Sequence, residues 1–166
     1  MRLAISMAVL LVVTSGVAWA AINCHAGKAC YGDNRTNVML GTQGRDRIYA
    51  GGGHDRISGK AGKDRLYGGR GNEGYIFAGS GNDLINGAQG SDSIHGEQGH
   101  DRIYGGDGTD NISGDEGRDR IYGGAGGDDI VAGWRDGAKD HIYCDPGVDW
   151  VSAGRQDKLF KCERHY

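Results

Sequence analysis

The chain has 166 residues, 33 of them Gly and only one Pro, with 8% aromatic residues and a formal net charge of −3. So much Gly opposes an ordinary packed core, because each Gly loses more backbone entropy on folding than any other residue; the glycines occupy fixed, repeated places or the chain is disordered. With 19 Lys and Arg against 22 Asp and Glu and no basic block in the sequence, the composition speaks against a nucleic-acid binder.

Residues 1–20 read as a secretory signal peptide. Arg2 supplies a minimal basic start, Leu10, Leu11, Val12 and Val13 an apolar run, and Ala18 and Ala20 the small-residue pattern for cleavage before Ala21. The rival reading is a retained anchor, but Thr14, Ser15 and Gly16 interrupt the apolar run, so no stable membrane insertion is expected. An exported chain with an even number of cysteines points to disulfides. Three pairings are open to Cys24, Cys30, Cys144 and Cys162, and their clustering favours Cys24 with Cys30 and Cys144 with Cys162. Zinc is the competing use, with His25, His141 and His165 nearby, but no CxxC or HxxxH spacing is present.

Residues 21–40 are expected to form an N-terminal cap and a degenerate repeat, in which Arg35 stands where the inner Gly belongs and Asn37 where the acid belongs. From Gly41 to Val131 ten units follow in tandem, nearly all of nine residues, such as GTQGRDRIY, GKAGKDRLY and GEQGHDRIY. Each has a Gly-rich first half ending in an acid, which is turn chemistry with Gly where φ is positive. The second half places one apolar residue between polar ones, the shortest alternating strand. The inward positions include Ile48, Ile57, Leu66, Ile85, Ile94, Ile103, Ile112, Ile121 and Ile130. Two units close one coil of 18 residues, and each strand pairs in parallel with those one coil away. The unit with Glu73 in place of Asp carries one extra residue near Gly74 to Phe77, which predicts a local bulge. Residues 132–166 hold three looser units, with Asp140 before Ile142, Asp149 before Val151 and Asp157 before Leu159, and a C-terminal cap.

This pattern resembles the haemolysin-type calcium-binding (RTX) repeat, G-G-x-G-x-D-x-U-x, over about Gly32 to Leu159. The resemblance implies an all-β fold, a right-handed parallel β-roll (β-solenoid) of stacked 18-residue coils, with calcium ions along both turn edges. The residues give an independent reason for calcium. One apolar side chain per unit is little burial to set against the entropy of ordering a Gly-rich turn. Stacking also places Asp46, Asp64, Asp83, Asp101 and Asp119 along one edge and Asp55, Glu73, Asp92, Asp110 and Asp128 along the other. Neighbours about 4.8 Å apart repel by on the order of 1 kcal/mol in water. A divalent cation reverses that sign, and carboxylates beside turn carbonyls are the hard-oxygen set that suits calcium. The nine aspartates are the expected metal ligands, Glu73 the weakest position. Units that lack the second Gly, at Thr42, Lys60, Ala88, Glu97 and Asp115, are expected to be weaker sites.

Outward positions also repeat: Arg47 with Tyr49, Arg65 with Tyr67, Leu84 with Asn86, Arg102 with Tyr104 and Arg120 with Tyr122 share one face. Two readings stay open. The rings stack on one another and the arginines offset the acidic edge, or the face binds a glycan or cell-surface polymer. No HExxH, Gly-x-Ser-x-Gly or phosphate-loop sequence occurs, so an enzyme is not expected. The sequence therefore predicts a secreted calcium-binding module that folds on calcium, with a glycan-binding protein as the alternative.

Overall fold

The computed structural model describes residues 11–12, 19–133, 137–147 and 149–162. Most of the expected signal peptide, residues 1–10 and 13–18, lies outside that range. Among the described residues the chain forms strands and turns without a helix. The strands are β1 (Leu11–Val12), β2 (Trp19–Asn23), β3 (Ala29–Tyr31), β4 (Val38–Leu40), β5 (Arg47–Gly52), β6 (Arg56–Ser58), β7 (Arg65–Arg70), β8 (Tyr75–Gly81) and β9 (Leu84–Gln89). They continue as β10 (Ser93–Gly99), β11 (Arg102–Asp107), β12 (Asn111–Ser113), β13 (Arg120–Ala125), β14 (Asp129–Val131), β15 (His141–Tyr143), β16 (Trp150–Ser152) and β17 (Lys158–Phe160).

Alternate strands fall into two sheets. One runs β1-β2-β4-β6-β8-β10-β12-β14-β16 and the other β3-β5-β7-β9-β11-β13-β15-β17. Apart from the antiparallel pair β1–β2, every pairing is parallel. In the repeat the register steps by 18 residues, as in Ile103 opposite Ile121 and Ile94 opposite Ile112. This is a parallel β-solenoid, as the nine-residue period implies. Parallel strands must be joined by crossovers, and here each crossover is simply the next half-coil.

The core is a double file of one residue per half-coil. Ile48, Leu66, Ile85, Ile103, Ile121 and Ile142 lie on one side and Met39, Ile57, Ile76, Ile94, Ile112 and Ile130 on the other, none more than 1% exposed. The degenerate segment contributes fully, since Met39 pairs with Ile57 in the stack. Looser C-terminal units pair in the same frame, with Ile130 opposite Val151 and Ile142 opposite Leu159. Both ends are stapled, by Cys24–Cys30 and Cys144–Cys162, the pairing the clustering favours.

The extra residue of the Glu73 unit is absorbed locally. Gly74 donates its N–H to the Asp55 carbonyl while Tyr75 takes the place opposite Arg56, and by Ile76 opposite Ile57 the register is restored. The insertion costs one irregular step rather than a shifted sheet, because a shift would turn Ile76 out of the core.

Two turn positions take positive φ, and glycine is required at the inner one. From Gly53 on, the inner Gly of each unit has positive φ and lies against the preceding coil: at Gly99 (φ +140°) a Cβ would fall 1.4 Å from the Gly81 carbonyl oxygen. From Gly51 on, the second position also keeps positive φ, yet it admits Lys60, Ala88, Glu97 and Asp115 at φ of 62° to 81°. Departures from the double Gly thus preserve the turn and carry a backbone cost instead.

Candidate metal centre

The acids do not project from the edges. All ten repeat acids are buried, from Asp55 and Asp119 at 0% to Asp83 and Asp92 at 3% exposure, as are Asp140 and Asp149 beyond them. Apart from Asp46, whose Oδ2 accepts from the Thr42 N–H and hydroxyl, and Glu73, each repeat acid turns its carboxylate back under the coil, where one oxygen accepts a hydrogen bond from the backbone N–H of the residue at the acid position one coil earlier. Along the first edge Asp46, Asp64 and Asp83 donate in turn to Asp64, Asp83 and Asp101 at 2.7 Å, and the ladder continues through Asp119 and Asp140 to Asp157. Along the second edge Asn37 donates to Asp55 at 2.7 Å, and Glu73, Asp92 and Asp110 donate to Asp92, Asp110 and Asp128 at 2.9 Å. Among the described residues one rung is missing, between Asp55 and Glu73. Glu73 has an extra methylene, and both its carboxylate oxygens are buried without a partner.

This ladder uses one oxygen per carboxylate. The second oxygen of Asp55, Asp64, Asp83, Asp92, Asp101, Asp110 and Asp128 is buried with no hydrogen-bond partner. In the units that open with Gly it packs beside that residue: a Cβ at Gly87 or Gly105 would stand 2.4 Å from the Oδ2 of Asp92 or Asp110. The units of Asp55 and Asp83 carry the buried Ala50 and Ala78 at that position instead.

A buried carboxylate oxygen without a donor is costly while the group is charged. Burial accordingly pushes Asp64 and Asp110 up to about 7 and Asp101 up to about 8, with the carboxylates one coil away adding to the rise. Burial, then Asp92 beside it, pushes Glu73 up to about 9. Asp55, Asp83 and Asp128 are also raised, again chiefly by burial. The columns therefore need either protons or cations.

Among the described residues no three His, Cys, Asp or Glu side chains converge as a ready-made cage. That argues against zinc at the cysteines, which are in disulfides. It also means that a cation held here would take its other ligands from backbone carbonyls of the Gly-rich turns, an all-oxygen set of the kind calcium accepts. The donors present fit calcium.

The family described as RTX calcium-binding nonapeptide repeat (4 copies) matches residues 31–66, 75–103 and 104–134, more than half of the chain. The chain belongs to the RTX calcium-binding repeat family. No curated protein matches it closely enough to count as a relative. Membership implies calcium, and the RTX repeats here extend in the structure beyond the matched segments, to Asp140, Asp149 and Asp157.

On the faces of this RTX roll the expected Arg and Tyr columns are present. Arg47, Arg65, Arg102 and Arg120 are exposed in one column and Tyr49, Tyr67, Tyr104 and Tyr122 half-buried in the next. The rings stack on each other, Tyr49 on Tyr67 at 4.8 Å and Tyr104 on Tyr122 at 4.7 Å between centroids. Asn86 interrupts the file. Sequence reading missed its ends: Tyr31 stacks on Tyr49, and Tyr143 and Phe160 extend the far side. A step of 18 residues leads from Tyr49 back to Tyr31, but the looser C-terminal coils break the step, so that Tyr143 and Phe160 join the file only in the stack. The arginines are not tied to the acids, for the ion pairs among the described residues are His95–Asp115 and Lys161–Asp145.

Proposed function

We propose that this chain is a secreted module whose folding is completed by calcium held along both edges of the roll. The nine aspartates Asp46, Asp55, Asp64, Asp83, Asp92, Asp101, Asp110, Asp119 and Asp128 are its side-chain ligands, with Glu73 a weak or vacant position where the ladder loses a rung. What supports this reading above all is the file of buried carboxylate oxygens without donors. Calcium supplies the positive charge those oxygens lack, and binding energy then serves as folding energy. The chain's own part is to hold each carboxylate by one oxygen on the neighbouring backbone, so that the other is presented in a fixed direction.

Two disulfides favour an oxidising compartment, and residues 1–20 serve in this reading as the signal peptide. Extracellular calcium would then switch the roll on after export, with affinities in roughly the 10⁻⁴ to 10⁻³ M class. The test is far-UV circular dichroism of the protein in EGTA, titrated with CaCl₂ and, separately, MgCl₂. A cooperative gain of β signal specific to calcium upholds the reading. A β spectrum that EGTA leaves unchanged overturns it.

A further inference from the structure

The first edge of the roll carries a second regularity that the acids do not explain. The residue just before each acid and the residue just after it both face outward. Before the acid stand Arg45, Lys63, Asn82, His100 and Arg118, and after it Arg47, Arg65, Leu84, Arg102 and Arg120; the seven Lys and Arg are exposed and none is in an ion pair, and only the Asp83 coil carries no cation. Positions 18 residues apart in sequence become neighbours at about 4.8 Å in the stack. Seven cations scattered through the sequence thus gather on one edge, which a net charge of −3 conceals.

The opposite edge has no such array. Its corresponding positions are His54, Asn72, Ser91, Thr109 and Gly127 before the acid and Arg56, Gly74, Ser93, Asn111 and Asp129 after it. On the basic edge a groove of about 350 Å³ runs across successive coils from Arg45 to Arg120, with the buried Asp46, Asp64, Asp83 and Asp101 in its lining. A row of unpaired cations, interrupted at the Asp83 coil, along a groove that crosses successive coils complements a linear polymer with anionic groups along its length.

We propose that the basic edge binds a linear anionic polysaccharide, one bearing sulfate or carboxylate groups along its length. Nucleic acid is the less suitable polyanion, because binding single strands uses open aromatic faces for base stacking. Here the ring faces along the same sheet are taken by neighbouring rings, with interplanar angles of 2° and 9° at Tyr49–Tyr67 and Tyr104–Tyr122. The proposal rests on the calcium reading in one respect. The acids under the groove oppose an anion unless a cation neutralises them, so binding is strongest in the calcium-loaded roll.

The experiment measures binding of dextran sulfate, neutral dextran and a single-stranded oligonucleotide to the full protein in calcium and in EGTA, with circular dichroism on each sample. Dextran sulfate is expected to bind in calcium with affinity falling steeply with salt, and neutral dextran not at all. Arg102→Glu with Arg120→Glu should weaken binding by on the order of tenfold or more and flatten the salt dependence. Arg35→Glu with Arg70→Glu, the same charge change away from this edge, should change it less than about twofold. A roll folded in calcium that ignores dextran sulfate, equal losses in the two double variants, or equal or tighter binding of the oligonucleotide overturns the proposal and leaves the calcium reading standing. A roll that is folded without calcium and binds dextran sulfate at this edge overturns the calcium reading alone.

Discussion

Replacing Asp101 by Asn separates a carboxylate that serves calcium from one that serves the backbone. The amide keeps an oxygen to accept the Asp83 N–H, now at 2.7 Å from Oδ1, and removes the charge that sits one coil from Asp83 and from Asp119. At about 4.8 Å each neighbour repels Asp101 by about 0.9 kcal/mol in water, so neutralising it relieves roughly 1.7 kcal/mol, and more where water is excluded. The chain is compared with wild type at about pH 9, above the value near 8 to which burial raises this carboxyl, so that the native group is ionised. In EGTA, where the wild type is expected to be unfolded, trimethylamine N-oxide drives both chains toward the compact state. The Asn variant should fold at the lower osmolyte concentration. In calcium the order reverses, because a site loses a charged ligand, and the calcium midpoint should rise on the order of tenfold. Far-UV circular dichroism reads both arms. If Asn lowers folding in both, Asp101 is a backbone cap; if it raises folding in both, the carboxylate is no calcium ligand, and either result refutes the reasoning.

Acid should imitate calcium. The carboxyls of Asp64, Asp110, Asp101 and Glu73 titrate higher in the folded chain than in the unfolded one, at about 7, 7, 8 and 9. Their contribution is therefore fully present below the unfolded values and lost as pH rises through the folded ones. In EGTA the β signal should be strong near pH 4 and fade above about pH 7, and calcium added to a weakly buffered sample below about pH 7, where the apo roll is folded and its carboxyls are protonated, should release protons. A pH electrode and a circular dichroism titration check both, and an apo signal that grows with pH would count against the buried columns. Lys60→Gly and Glu97→Gly relieve positive φ of 76° and 66° and, after the added freedom of the unfolded chain, should each stabilise the calcium form by roughly 0.5 kcal/mol; calorimetry in calcium reads the midpoint. Reduction of Cys144–Cys162, which closes a span of 18 residues, should cost about 3 kcal/mol, visible as a lower urea midpoint with dithiothreitol.

The nine-residue period by itself determined the coil, the parallel pairing, the single inward residue of each half-coil and the place of the acids. It could do so because a strand of three residues with one apolar centre has only one way to bury that centre, and Gly at fixed spacing has only the turns to occupy. Even the irregular unit was legible, since an extra residue beside Ile76 must be absorbed before the core position or the core is lost. The fate of the acids was decided only by the tertiary structure. Nothing in Gly-x-Asp-x-Ile says that the carboxylate turns inward, gives one oxygen to a backbone N–H 18 residues earlier and leaves the other buried without a donor. That depends on the neighbouring coil supplying the donor. The basic edge arises in the same way, for Arg45, Lys63 and Arg118 look isolated along the chain and stand on one edge only when coils stack. Sequence spacing records what one coil needs for itself, and the physical chemistry of the edges is made between coils.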